Sequence, residues 1–112
     1  MHAFDVLGDP VRRRILELLR EQELGSGDLV ERIRAEFGIS QPAVSQHLRV
    51  LRENGFAIAR PVGTRRVYAV DPTGLGQVDA WLEQFRGMWQ QRLAALGTEV
   101  ERGKRSRRAA PH

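Results

Sequence analysis

The segment from residue 40 to residue 56 constrains the fold most, because it has the pattern of a short helix with two unlike faces. Val44, Leu48 and Leu51 recur at helical spacing, so they can anchor this helix to a core. The opposite side carries hydrogen-bond donors at steps of four, four and three residues, namely Gln41, Ser45, Arg49 and Arg52, with Gln46 beside them. For this segment alone, an ordinary amphipathic surface helix is the alternative.

The donor-rich face has the chemistry that recognition in a DNA major groove requires. Arginine pairs bidentately with guanine, glutamine pairs with adenine, and serine can bond to either base or to phosphate. The only acid in the segment is Glu53, near its end, so no carboxylate along this face repels a phosphate backbone. We interpret the segment as a reading helix whose predicted contacts to base edges are Gln41, Ser45, Gln46 and Arg49.

The composition excludes several classes of protein. A chain of 112 residues is about the size of one small domain. It has no cysteine, so disulfides, thiolate metal sites and cysteine nucleophiles are excluded. Charged residues interrupt every apolar stretch before it reaches the length of a signal peptide or a membrane span. We expect a cytoplasmic protein with no membrane partner.

The positive charge is concentrated in two places. The net charge is +4, but residues 102–112 hold five basic residues and no acid, so residues 1–101 carry 13 basic against 14 acidic groups. Within that nearly neutral body, residues 49–66 contain five arginines against the single acid Glu53. Clustering around the reading helix and the segment after it predicts a local nucleic-acid footprint.

Two helices and a tight turn precede the reading helix. Asp9 followed by Pro10 is typical of a helix start, and the apolar spacing extends this helix to about Gln22, after a short apolar lead-in at residues 4–7. A second helix should begin near residue 26 or 28 and end at Gly38. Because only a short turn then separates it from the reading helix, the two predict a helix-turn-helix.

A strand-like pattern follows the reading helix. Residues 56–62 and 65–70 flank Gly63 and Thr64, which predicts a hairpin, and Pro61 confines the first strand to a sheet edge. A basic hairpin in this place is typical of the wing of a winged helix, which touches phosphates or enters a minor groove. The residues that we expect at the DNA backbone or minor groove are Ser40, His47, Arg52, Arg60, Thr64, Arg65 and Arg66.

A long amphipathic helix should begin at Asp71 and Pro72. Its apolar positions advance in steps of three and four from Leu75 to Val100, and Trp81 and Met88 widen the stripe. This is more apolar surface than a small winged helix needs, so we expect dimerisation, with folding back over its own domain as the alternative. We predict that the domain covers residues 1–101 and that residues 102–112 form a disordered basic tail, which either adds sequence-independent DNA affinity or has no role.

The order of elements and three motifs resemble the ArsR family of bacterial winged-helix repressors over residues 2–100. The motifs are LGDPVRRRI at residues 7–15, SQPAVSQHLRVLR at residues 40–52 and GTRRVY at residues 63–68. The resemblance implies a mainly helical fold with a small β-hairpin and a homodimeric repressor that binds an inverted repeat and is released by some signal. It places the dimer interface on the first and last helices, where the matching residues are Phe4, Leu7, Leu75, Val78, Leu82, Phe85 and Trp89.

The chain departs from the metal-sensing members of that family. Members that sense soft metals carry a Cys-x-Cys pair where this chain has residues 24–28, LGSGD, so thiolate sensing there is excluded. Other members build a zinc site on the last helix, but residues 72–101 contain no histidine, and Asp79 with Glu83 suits neither zinc nor copper. We predict no metal and no cofactor, and the sequence does not identify an effector.

Catalysis is not indicated. No Gly-x-Ser-x-Gly elbow is present, and the only histidine inside the fold is His47, for which we expect a hydrogen bond at the boundary of the reading helix or a phosphate contact. We therefore predict a sequence-specific transcriptional regulator rather than an enzyme. The alternative is a protein-interaction module in which the last helix docks a partner, or admits a small apolar ligand, through Trp81, Phe85, Met88 and Trp89.

Overall fold

The computed structural model of the protein describes the backbone of residues 1–109 and the side chains of residues 1–97. The fold is mainly helical, with one three-stranded antiparallel sheet of strand order β1-β3-β2. The elements are α1 (Ala3–Leu7), α2 (Pro10–Glu21), β1 (Leu24–Gly25), α3 (Ser26–Phe37), α4 (Gln41–Glu53), β2 (Ala57–Val62), β3 (Arg65–Val70) and α5 (Pro72–Ala109). The predicted helix-turn-helix and hairpin are both present.

The chain divides into two compact units, residues 1–78 and residues 79–112. In the first unit, α2, α3 and α4 pack around one apolar core together with the base of the sheet. Val44, Leu48 and Leu51 of α4 belong to that core, so their predicted anchoring role is confirmed. Phe56, which is fully buried, lies against Gly74, where an added Cβ would come within 2.6 Å of its ring. Only glycine fits this contact.

Local chemistry sets the ends of the helix-turn-helix. Gly38 adopts a left-handed conformation with φ of 66° and donates its N–H to the carbonyl of Arg34, which ends α3. The hydroxyl of Ser40 then accepts the N–H of Ala43 and begins α4. The side chain of Asp9 begins α2 in the same manner by accepting from Val11 at 2.8 Å. These helix ends lie at the predicted boundaries.

The wing is a regular hairpin. Its strands pair from Ala57 opposite Val70 to Val62 opposite Arg65, and Gly63 takes a φ of 63° in the turn. β2 is an edge strand, which accommodates Pro61 as predicted. The sequence analysis missed β1, whose two residues pair with the opposite edge of β3, because two residues are too few to show a strand pattern.

Two further segments are helical. Residues 3–7, which contain the predicted apolar lead-in, form a short helix, because the imidazole of His2 accepts the N–H of Phe4 while Asp5 accepts the N–H of His2. The helix α5 continues to Ala109, past residue 101 where we expected a disordered tail to begin. Residues 98–109 are rich in arginine, and arginine, glutamate and lysine favour a helix. The basic side chains of residues 102–112 lie outside the described side chains, so the predicted domain boundary and role of the tail stay predictions.

Candidate nucleic-acid interface

A surface groove of about 690 Å³ runs between α3, α4 and the wing. Its walls are Ser26, Gly27, Val30, Glu31 and Arg34 from α3, Gln41, Ser45, Leu48, Arg49 and Arg52 from α4, and Arg66 and Tyr68 from β3. The structure therefore brings together the four donors that the sequence placed on one face of the reading helix. It also brings one wing arginine to the same groove.

Positive charge dominates the groove. Four arginines line it, at positions 34, 49, 52 and 66, against the single carboxylate of Glu31. Among residues 1–97, neither Arg52 nor Arg66 is within ion-pair distance of a carboxylate. Arg49 bonds to Glu53 at 3.0 Å, but both side chains are more than half exposed. Such an exposed pair contributes only about 0.3–0.5 kcal/mol, so a phosphate or a base can replace Glu53.

Arg34 is a basic lining residue that was not predicted from the sequence. The last turn of α3 carries it toward the groove, one turn beyond Val30 and Glu31, which line the same wall. The helical spacing of these residues was the available signal. That spacing does not show which surface the polar face of α3 meets, because this depends on how α3 packs beside α4.

Gln46 and His47 lie outside the groove. Gln46 is exposed and follows Ser45, so it lies about 100° farther around α4, on the crest between the two flanks of the helix. His47 is half-buried, and its Nδ1 lies 3.3 Å from Nη1 of Arg12. The hydrogen bond at the helix boundary that we expected for His47 is therefore present.

Two wing arginines are engaged with carboxylates. Arg60 donates to both oxygens of Glu23, at 2.8 Å for the longer bond, and these hydrogen bonds lower the pKa of Glu23 and raise that of Arg60. Arg65 lies 3.7 Å from Asp28 and close to the backbone of Gly25. Arg60 reaches across β3 to Glu23, the residue before β1, whereas Thr64 is exposed in the turn. The predicted DNA contacts of both residues stay predictions.

Comparison with known proteins identifies the family. The chain is 43% identical over 99 residues, 88% of its length, to the HTH-type transcriptional regulator Rv2034 of Mycobacterium tuberculosis, of which it covers 86%. Residues 9–59 match the family model described as bacterial regulatory protein, arsR family. The chain belongs to the ArsR family. It is thus a DNA-binding transcriptional regulator of the helix-turn-helix class and not an enzyme.

Further ArsR-family similarities cover most of the chain. The transcriptional repressor SdpR of Bacillus subtilis is 31% identical over 75% of this chain and 89% of its own. A solved structure described as a possible transcriptional regulator for arsenical resistance has a TM-score of 0.66 and 38% identity, covering 85% of this chain and 95% of its own.

The residues predicted at a dimer interface divide into two groups. Leu7 and Val78 are half-buried against the core of the first unit. The others expose between a third and three-fifths of their surface, namely Phe4, Leu75, Leu82, Phe85 and Trp89. The exposed members are available to a partner, and dimerisation itself stays a prediction.

In the second unit, the two carboxylates considered for a metal have a cation between them. Arg86 donates to Asp79 and, at 2.9 Å, to Glu83, and these contacts raise the pKa of Arg86, Asp79 being the larger cause. Both acids are therefore held by a guanidinium in this ArsR-family protein.

Among the described residues, no helix is long and apolar enough to cross a membrane.

Proposed function

We propose that the protein is a homodimeric repressor that binds an inverted-repeat operator, with α4 of each subunit in one of two successive major grooves. The observation that carries the proposal is the arginine-lined groove, in which Gln41, Ser45 and Arg49 share a wall. Bound on one face of the duplex, the two reading helices would lie about 34–36 Å apart.

The groove suggests how one DNA strand is held. A helix in a major groove and a wing in the adjacent minor groove have one phosphate strand between them. Arg52, Arg66 and Arg34 line the space that such a strand would occupy. We assign these three arginines to phosphates, and we assign base edges to Gln41, Ser45, Gln46 and Arg49.

The exposed apolar stripe of the second unit supports a dimer. Trp81, Met88 and Trp89 each expose about half of their surface or more, and Leu93 and Leu96 extend the stripe. A contiguous apolar surface of this kind favours a protein partner. We propose a second copy of the chain, because a two-fold dimer presents two reading helices to an inverted repeat. Docking of another protein through the same stripe is the alternative.

Repression, autoregulation and location are inferred from relatives and chemistry. SdpR is named a repressor, and further relatives are named repressors of arsenical and mercury resistance operons. This chain has no cysteine, so a thiolate-bound metal is not its inducer. We propose a cytoplasmic repressor that acts on its own promoter and responds, if it has an effector, to a different class of signal.

Fluorescence anisotropy on the upstream DNA of the gene tests this function. The matched control is a shuffled fragment of equal length, and both are titrated at several salt concentrations. A specific autoregulator should bind its upstream fragment roughly a thousandfold or more tighter than the shuffled one. Equal, weak binding to both that disappears with salt would exclude autoregulation and direct attention to the docking alternative.

A further inference from the structure

Arg12 joins three helices of the first unit. From α2, its Nε donates to the carbonyl of Val6 at 2.7 Å and its Nη2 donates to the carbonyl of Asp5 at 2.9 Å, so it holds two carbonyls at the end of α1. Its Nη1 lies 3.3 Å from Nδ1 of His47 on the reading helix. One side chain therefore connects the end of α1 with α4.

The contact with Arg12 determines which nitrogen of His47 carries the proton. A guanidinium has only donors, so Nδ1 of His47 must accept with its lone pair. Neutral imidazole with an unprotonated Nδ1 carries its single proton on Nε2. The Arg12 contact thus leaves His47 with an N–H donor at its far nitrogen.

That donor is accessible. Nε2 of His47 has no hydrogen-bond partner among residues 1–97. Within the same residues, every buried side-chain nitrogen and oxygen atom has a partner. If Nε2 of the half-buried His47 were itself buried, it would be a buried nitrogen without a partner, so this atom reaches the surface.

The position of His47 on α4 indicates what this donor meets. His47 lies two residues after Ser45, about 200° around the helix axis, so it is on the flank opposite the groove wall. A helix in a major groove is bordered by a phosphate strand on each flank. In such a complex, the wing and the groove arginines would face one strand, and His47 would face the side of the other.

We propose that Arg12 is a positioning residue that fixes His47 in its Nε2–H tautomer, so that His47 donates to a DNA phosphate on the strand away from the wing. This inference rests on the proposed function only for its DNA contact. The tautomer itself is a property of the free protein, so it can be measured separately.

The first test is nuclear magnetic resonance of the full chain labelled with ¹⁵N-histidine, without DNA. His47→Gln identifies the His47 signals among those of the three histidines. We expect an unprotonated Nδ1 and a protonated Nε2 in the wild type, and a measurable Nδ1–H population in Arg12→Met. A proton on Nδ1 in the wild type, or no change in Arg12→Met, would overturn the proposal.

The second test leaves Arg12 and its bonds to α1 intact. The amide nitrogen of Gln can take the place of Nε2, whereas that of Asn reaches only the place of Nδ1. We expect His47→Gln to bind the operator within about threefold of the wild type and His47→Asn to bind about tenfold more weakly. Equal affinities for the two variants would reject the phosphate contact. If the wild type did not prefer its operator, the proposed function would fail while the tautomer result would still decide the role of Arg12.

Discussion

Residues 1–78 and residues 79–97 show the same apolar periodicity but differ in what covers it. The first unit encloses most of its large apolar side chains in a core that reaches zero exposure at Ile15, Ile33 and Phe56. In the second unit, the large apolar residues from Trp81 to Leu96 each expose at least a third of their surface. Helical spacing therefore identifies an apolar face, but burial depends on whether the chain itself supplies a second surface to cover it.

The largest effect should separate two phenylalanines. Phe56→Ala removes a fully buried ring and should lower the free energy of unfolding by about 3–5 kcal/mol, measured by urea denaturation. Phe85→Ala is the matched change in the second unit, where the residue is 39% exposed, and it should lower the free energy of unfolding clearly less in monomeric protein. Similar losses of unfolding free energy in the two variants would show that Phe85 is as well buried as Phe56.

Dimerisation should depend on the second unit. Trp89→Glu places a charge on the exposed stripe and should weaken the dimer by about 2 kcal/mol or more, measured by analytical ultracentrifugation. Gln91→Glu adds the same charge about half a turn away on the helix and should leave the dimer intact. A Trp89→Glu protein that stays dimeric would assign the stripe to another partner.

DNA binding should depend on the first unit, and the groove arginines should differ from Arg60, which lies outside the groove. Arg52→Ala should weaken binding to all sequences and reduce the salt slope by about 1. Arg49→Ala should cost about 1–3 kcal/mol at one base position and relax the preference there. Anisotropy on specific and random DNA distinguishes these classes. The control is Arg60→Ala. Because Arg60 is bonded to Glu23, its removal should change the salt slope less than Arg52→Ala does.

The smallest effect concerns the start of α5. Asp71 accepts the backbone N–H of Thr73, which lowers the pKa of its carboxyl below the ordinary 3.8. The folded state therefore favours the ionised form, so its stabilisation is complete above the ordinary pKa and is lost as pH falls through the lowered value. In Asp71→Asn, this part of the acid dependence of the melting temperature should vanish. An unchanged acid profile would show that the cap does not contribute.

The sequence predicted most of the fold because its signals are local. Asp9, Gly38 and Ser40 mark helix ends through hydrogen bonds within three or four residues, so their roles can be read without a structure. The short β1 could not be predicted, because its two residues are held by pairing with distant residues of β3. The His2 cap that makes α1 helical was missed because histidine is not among the usual capping residues.

The candidate site was predicted on one helix but not across helices. Spacing alone placed Gln41, Ser45, Arg49 and Arg52 on a common face, and the groove contains all four. Spacing could not show that Arg60 pairs with Glu23, nor that Arg34 joins the groove, because both depend on how separate elements pack. Charge counts along the sequence cannot distinguish paired from unpaired arginines.

The pairing of Leu24 with Tyr68 has a consequence for the folding pathway. This short contact closes a chain loop that contains the whole of α3 and α4. Closing such a loop costs chain entropy before the hydrogen bonds of the pairing form. Pairings between residues distant in sequence therefore tend to form late in folding. We therefore expect the β1 pairing to form late, and until it forms this strand contact does not join the start of α3 to β3 of the wing.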